Sequence, residues 1–460
     1  MDWAAFGVDL HLDVPAGGRR AGLERALREA IRSGRLAPGS RLPATRTLAA
    51  ELRLARGTVA AAYDQLVAEG FLTARTGSGT TVAPVPRTPP PVEKTARPSA
   101  APRFDLRPGS PDVSTFPTAE WLRASRRALA RAPMSAYDYG DPRGRVELRT
   151  ALAEYLGRTR GVLAHPDRIV VTSGYVQALS LLARLHPVIA MEDPGLAFHR
   201  DVARRAGARV VALPVDDEGA RTDRLSTVDA VVLTPAHQYP TGVTLAPARR
   251  LAVTEWARDR GALVIEDDYD GEFRYDRQPV GAVQGMAPEH VAYVGTGSKT
   301  LGPALRLAWV VLPERLVEPV VEAKRHADLH SGTIGQLTLA ELITSHGYDR
   351  HVRACRSRYR ARRDLLVARL GGAAPHRAAP LLGGIAAGLH ALLRLPPGGP
   401  READVVAAAA RRGLAVGDLA SHWHTPGAGT EGLIVGYGTP SETSYAAAVD
   451  VLARTLRSLS

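Results

Sequence analysis

The stretch "GTGSKTLGPALRLAW" (295–309) sets a lysine between a small-residue turn and an apolar run. Lysine and arginine together number 59, yet only Lys94, Lys299 and Lys324 are lysines. An arginine bias of that size is what base composition produces, so arginine counts are discounted and each lysine gains weight. What lysine offers and arginine does not is a primary amine that, once deprotonated, condenses with an aldehyde to a Schiff base. Lys299 is the residue to build outward from.

Its surroundings carry the other parts of an aldehyde-holding site. Upstream, "VIEDDYDGEF" (264–273) ends an apolar strand in carboxylates. Asp267 and Tyr269 are two apart and share one face of an extended chain. "TSGYVQAL" (172–179) joins a strand to a helix through glycine, which offers the amides of Gly174, Tyr175 and Val176 to an anion at a helix start. Thr296 and Ser298 add hydroxyls, and Arg306 adds a bidentate anion partner seven residues after the lysine. Amine, acid, phenol and phosphate cradle together are the requirements of pyridoxal 5′-phosphate. An acid against its ring nitrogen keeps that nitrogen protonated, so that the ring withdraws electrons. Asp267 is assigned to the ring nitrogen and Tyr269 to the phenolic oxygen.

The same region reads as an α/β fold. Short apolar runs at 168–174, 186–195, 209–215, 229–235, 262–268 and 291–299 alternate with helical segments and each end in a polar or glycine cluster. Buried strands separated by helices predict a mostly parallel sheet covered on both faces. Ligands of such sheets sit beyond the strand carboxyl ends.

Residues 84–103 hold seven prolines and almost no large apolar side chain, a composition that cannot bury a core. They separate a small basic head, 1–83, from a body, 104–460. In the head, helical spacing over 22–34, 45–52 and 57–70 is followed by two short strands around Gly-Ser-Gly within 71–82. Thr45 is the expected cap of the second helix. Three helices and a hairpin predict a winged helix-turn-helix. Between Arg19 and Arg75 there are eleven arginines against five acidic residues. Arg56, Gly57 and Thr58 open the third helix, where they suit a major groove, with Arg46 at the preceding helix. Arg75 and Gly77 in the wing suit close approach to a minor groove.

Composition limits the alternatives. With 45% apolar and 23% charged residues the chain is globular, and its net charge of +12 favours a polyanionic partner. No apolar run reaches the length of a membrane span, and "MDWAAFGVDLHLD" lacks the features of a signal peptide. Cys355 is the only cysteine, so no internal disulfide forms and a cytoplasmic location is the default expectation.

"GSRLPATRTLAAELRLARGTVAAAYDQLVAEGFLTARTGSGTTV" (39–82) closely resembles the GntR-type winged helix, with alanine or threonine at three places where that pattern has serine. Residues 104–460 resemble the fold-type I aminotransferases. "RPGSPDVSTFP" (107–117), "HQYPTG" (237–242), "EDDYDGEF" (266–273) and "GTGSKTLGPALRLAW" together resemble the MocR subgroup of bacterial regulators. The resemblance implies a head-to-tail homodimer in which Tyr139, from "YGDPRGRVELRTALAEYL" (139–156), reaches the phosphate held by the other subunit. It also exposes departures. Tyr239 stands where aminotransferases have an asparagine before Pro-Thr-Gly, leaving His237 or Gln238 for the cofactor oxygen. Leu196 follows Pro-Gly where a stacking aromatic is usual, leaving Phe198 or His199 as substitutes, or a ring that packs on leucine. "GLIVGYG" (432–438) lacks the arginine that clamps a substrate carboxylate, while His422 and His424 lie nearby.

The expected function is a dimeric regulator that binds double-stranded operator DNA with its head and senses a small molecule through the bound cofactor. Without the carboxylate clamp, the cofactor itself is the favoured effector, as in regulators of pyridoxal phosphate synthesis. An amine or amino acid effector, a working aminotransferase with an appended head, and a purely structural cofactor are the alternatives.

Overall fold

The computed structural model describes residues 19–75, 79–84, 102–225, 227–275, 280–371, 381–425, 427 and 429–459. The chain divides into two compact units, Met1–Ala100 and Ala101–Ser460.

In the first unit, α1 (Arg19–Arg32), α2 (Thr45–Glu51) and α3 (Arg56–Ala68) precede an antiparallel pair, β1 (Leu72–Arg75) and β2 (Gly79–Val82). Leu23, Leu27, Ala30 and Ile31, the helical-spacing residues of α1, pack with Leu48, Val59, Leu66 and Val82 in one core. Thr45 does not cap α2. It is the first helical residue, and Ala44 before it makes no side-chain bond. The turn is pinned instead by Tyr63, whose hydroxyl donates to the Pro43 carbonyl at 3.0 Å. Gly77 and positions 85–101 of the proline-rich segment lie outside the described residues.

The second unit opens with β3 (Phe104–Leu106), α4 (Thr118–Arg131) and α5 (Val146–Arg160). An alternating series follows: β4 (Ile169–Thr172), α6 (Tyr175–Arg184), β5 (Val188–Asp193), α7 (Ala197–Arg205), β6 (Arg209–Asp216) and the short β7 (Gly219–Ala220). It continues through β8 (Ala230–Leu233), α8 (Pro247–Arg260), β9 (Leu263–Asp268), β10 (Val291–Thr296) and β11 (Ala308–Val311). Among the described residues these strands form an eight-stranded sheet in the order β4-β11-β10-β9-β8-β5-β6-β7. The central run from β10 to β6 is parallel, and β11 runs antiparallel between β4 and β10.

Successive strand residues face opposite sides, so one strand feeds two cores. Val170 and Val294 pack on one face with α6 and α9 (Glu314–Asp328). Val171 and Tyr293 pack on the other with α5 and α10 (Thr333–Thr344). The long α11 (Gly347–Gly371) leads to a smaller layer made of β12 (Leu381–Gly383), β13 (His390–Arg394), α12 (Glu402–Arg411), β14 (Leu414–Asp418), β15 (Gly432–Gly436) and α13 (Glu442–Arg457). Its sheet has the order β12-β13-β15-β14-β3, so the opening strand of the unit completes the closing sheet. Among the described residues no helix is long and apolar enough to cross a membrane.

Candidate functional site

Strands β4, β9 and β10 end on the same side of the large sheet. There they deliver Gly174, the pair Asp267 and Tyr269, and the run Thr296–Lys299 to one cavity of about 390 Å³. Tyr175, Val176 and Arg306 line it too, as do Pro108 and Gly109 from the "RPGSPD" segment.

Lys299 projects into this space, and its amine donates to the carbonyl of Gly109. Burial lowers its pKa from the ordinary lysine value, against the opposing pull of Asp270 and Asp267. An amine shifted in that direction reaches its neutral, nucleophilic form nearer physiological pH. Asp267 shows the reverse. Burial holds its carboxyl well above the usual range, and only the Lys299 charge works to lower it. The Tyr175 hydroxyl is buried without a hydrogen-bond partner, and burial together with the nearby Asp267 and Glu192 raises its pKa well above the usual value.

The anion cradle is equally specific. Gly174 has φ +138°, and a Cβ there would lie 2.6 Å from the Arg306 guanidinium, so glycine is required. Arg306 itself sits in the left-handed region at φ +55°, an unfavourable setting for a non-glycine residue. No carboxylate of the described residues pairs with it. The amides at the start of α6 have no acceptor within the helix, so a guanidinium and several free N–H groups face one point. The Thr296 hydroxyl donates to Ser298 Oγ at 2.9 Å beside them.

Other parts of the arrangement differ from the sequence expectation. His237 is not among the residues that line the cavity. It lines a small gap behind, with Asp270 and Arg160, because its Nδ1 is 2.9 Å from Asp270 Oδ2. Gln238 is also turned away, its amide nitrogen donating to the carbonyls of Pro194 and Tyr239 at 3.0 and 2.7 Å. Tyr239 itself faces the cavity. His199 lines it as well and packs on Tyr175 with ring centroids 4.5 Å apart, whereas Phe198 is 58% exposed. Burial and the Lys299 charge push the His199 imidazole down to about 4. Tyr139 lies outside the cavity, four-fifths exposed, edge-on to His330.

Among the cavity residues with no assignment from sequence, three are ionisable. His390 starts β13 and is kept neutral by burial, well below the usual imidazole range. Glu192 accepts from the Thr234 hydroxyl at 2.5 Å, and burial raises its carboxyl to about 7. Arg200 turns its guanidinium to the carbonyls of Gly195, His422 and Trp423. No motif announces these contacts, since each joins segments far apart in the chain. His422 stands behind Tyr239, 3.3 Å from its hydroxyl, and the main-chain N–H of His424 donates to Asp193. β15 is wholly buried and contains no cation.

In the first unit, Arg46, Arg56, Gly57 and Arg75 are exposed and Thr58 is half-buried. None of the three guanidiniums pairs with a carboxylate of the described residues. Arg28, by contrast, is held by Glu69 at 2.8 Å.

Fold and site together define a class: a winged-helix unit followed by a unit with the fold-type I aminotransferase architecture. Among solved structures, the multiple substrate aminotransferase of Thermococcus profundus matches with TM-score 0.71 and 24% identity, over 78% of this chain and 92% of that one. LysN, the α-aminoadipate aminotransferase of Thermus thermophilus, was solved with N-(5′-phosphopyridoxyl)-L-leucine. It matches with TM-score 0.69 and 25% identity, over 77% and 92%.

The profile for aminotransferase class I and II matches residues 105–383, and that for bacterial regulatory proteins of the gntR family matches residues 20–82. The HTH-type pyridoxine biosynthesis transcriptional regulator PdxR of Corynebacterium glutamicum is 33% identical over 428 residues, covering 91% of this chain and 92% of that one. The probable rhizopine catabolism regulatory protein MocR of Rhizobium meliloti is 33% identical, covering 78% of each. The chain belongs to the GntR family, in its MocR-type branch, and is a DNA-binding transcriptional regulator with an aminotransferase-like domain.

Proposed function

We propose that residues 104–460 hold pyridoxal 5′-phosphate and that its capture sets DNA binding by residues 1–83 through the linker 84–103, with genes of vitamin B6 synthesis as the target. The match to a pyridoxine biosynthesis regulator over 91% of the chain supports the target. When bound, the cofactor supplies an aldehyde for a primary amine and a ring that withdraws electrons once its nitrogen is protonated. Lys299 provides the amine. Its lowered pKa, in a cavity with a buried acid and a free guanidinium, is the observation that carries the reading.

Asp267 holds the protonated ring nitrogen, which gives its buried carboxylate a directly hydrogen-bonded counter-charge. Tyr269 donates to the phenolic oxygen. Arg306, the amides of Gly174, Tyr175 and Val176, and the hydroxyls of Thr296 and Ser298 bind the phosphate. His199, uncharged and half-buried, offers the flat surface for the ring. A second copy covers the surface around Tyr139, where Met134 and Tyr137 are also exposed, and brings Tyr139 to the partner's phosphate. In the head, Arg46, Arg56, Gly57, Thr58 and Arg75 grip the operator duplex.

The test is direct. Wild-type protein incubated with the cofactor absorbs in the near-visible and keeps a label on residue 299 after borohydride reduction, and Lys299→Ala does neither. Affinity for promoter fragments of vitamin B6 genes changes with cofactor only in the wild type. Colourless wild-type protein, or equal DNA affinity with and without cofactor, overturns the proposal. The intact trio of Lys299, Asp267 and Tyr269 also favours a second reading, an amine or amino acid effector or slow aminotransferase turnover. A spectral change on adding amino acids, followed by turnover with a keto acid, decides for it.

A further inference from the structure

Tyr269 faces the cavity, but it is held from behind. Its hydroxyl lies 3.2 Å from His237 Nδ1 and 3.1 Å from the His237 carbonyl. The same Nδ1 is 2.9 Å from Asp270 Oδ2, and both side chains are 2% exposed. An imidazole nitrogen that contacts a buried carboxylate carries the proton, so Nδ1–H donates to Asp270 and fixes the tautomer. The Tyr269 oxygen sits at the edge of that N–H as a second, longer acceptor. Its own proton is left for another group, with the His237 carbonyl as the acceptor present here. Burial and Asp270 keep the phenol protonated, so Tyr269 acts as a donor across the physiological range.

The backbone is shaped around this pair. Gly388 runs past at φ +72°, where a Cβ would lie 2.2 Å from the His237 ring. The other groups facing His237 are the neutral His390, its ring 4.8 Å away, and Arg160 and Arg274 around the gap behind.

We propose that His237, oriented by Asp270, is a positioning residue that polarises Tyr269 and makes it a strong donor to the phenolic oxygen of the cofactor. It supplies from behind what the asparagine replaced by Tyr239 would supply directly. The inference rests on the cofactor reading of the cavity. Hydrogen bonds in series strengthen one another, so the N–H at the Tyr269 oxygen makes the phenol a better donor. A donor at the phenolic oxygen draws electron density from the lysine nitrogen joined to the ring, and lowers the pH at which that nitrogen loses its proton.

The experiment is a pH titration of the absorption of full-length protein loaded with pyridoxal 5′-phosphate. His237→Ala and His237→Phe, which leave the Asp270 carboxylate in place, are expected to move the midpoint to higher pH by about half a unit to one unit. Tyr269→Phe moves it further, and His237→Ala adds nothing in the Tyr269→Phe background. An unchanged midpoint in His237→Ala overturns the inference, and so does an additive double variant. If His237→Ala fails to load, His237→Phe, which fills the space without an N–H, decides by the same criterion. A colourless wild type overturns the cofactor reading and this inference together, whereas a coloured wild type with unmoved variants overturns this one alone.

Discussion

On one part of the cavity lining, burial pushes Lys299 and Asp267 toward their neutral forms while each acts on the other, and Arg306 has no carboxylate partner among the described residues. On the other, Tyr239 and His390, with His422 behind, present groups that burial keeps neutral. Arg200, a cation that also lines the cavity, is turned to three carbonyls. The difference separates two tasks that an aminotransferase combines. Under the proposed function, one end keeps what a phosphorylated aldehyde needs. The other offers no free cation, among the described residues, to orient an amino acid carboxylate.

The contrast can be broken most severely at the charged end. Arg306→Ala removes charge-assisted hydrogen bonds to phosphate and is expected to weaken cofactor binding about 10- to 100-fold by spectral titration. A change under threefold would mean that the helix amides carry the phosphate alone.

A smaller effect probes the neutral wall. The Glu192 carboxyl has a folded pKa of about 7, above its unfolded value of 4.5. Its contribution to stability is therefore full below about 4.5 and lost as pH rises through about 7. Glu192→Gln removes this dependence, so its melting temperature should exceed that of the wild type at pH 8 by about 2–4 °C, with the gain absent at pH 5. An equal difference at both values refutes the assignment.

The smallest change is expected at the far end. His422→Ala loses its contact with Tyr239 and should alter cofactor affinity by less than about threefold. A tenfold loss would show that the two ends are not separable.

The charged end was legible in the sequence because its residues follow strands recognisable by apolar runs, and parallel strands align their carboxyl ends. Lys299 also stood out against an arginine background. The neutral end was not legible, for local geometric reasons. His199 and Phe198 are adjacent, and only the phase of α7 turns one inward and the other to solvent. His237, Gln238 and Tyr239 lie in a turn with no periodicity, so nothing in their order reveals that Asp270 draws the first away and leaves the third facing the ligand space. His390, Arg200 and His422 depend on contacts between the large sheet and the smaller layer. In the head, periodicity located the helices and hairpin. It missed the cap of α2, where Thr45 is already helical and Tyr63 anchors the turn from the next helix.

The walls of the cavity are contributed from Pro108 through His390, with segments interleaved between them. A nascent chain still tethered to the ribosome with β13 unsynthesised has most of the individual groups but not the enclosure. The enclosure therefore forms only after the chain has been made through β13, and no fragment that stops short of His390 can close it.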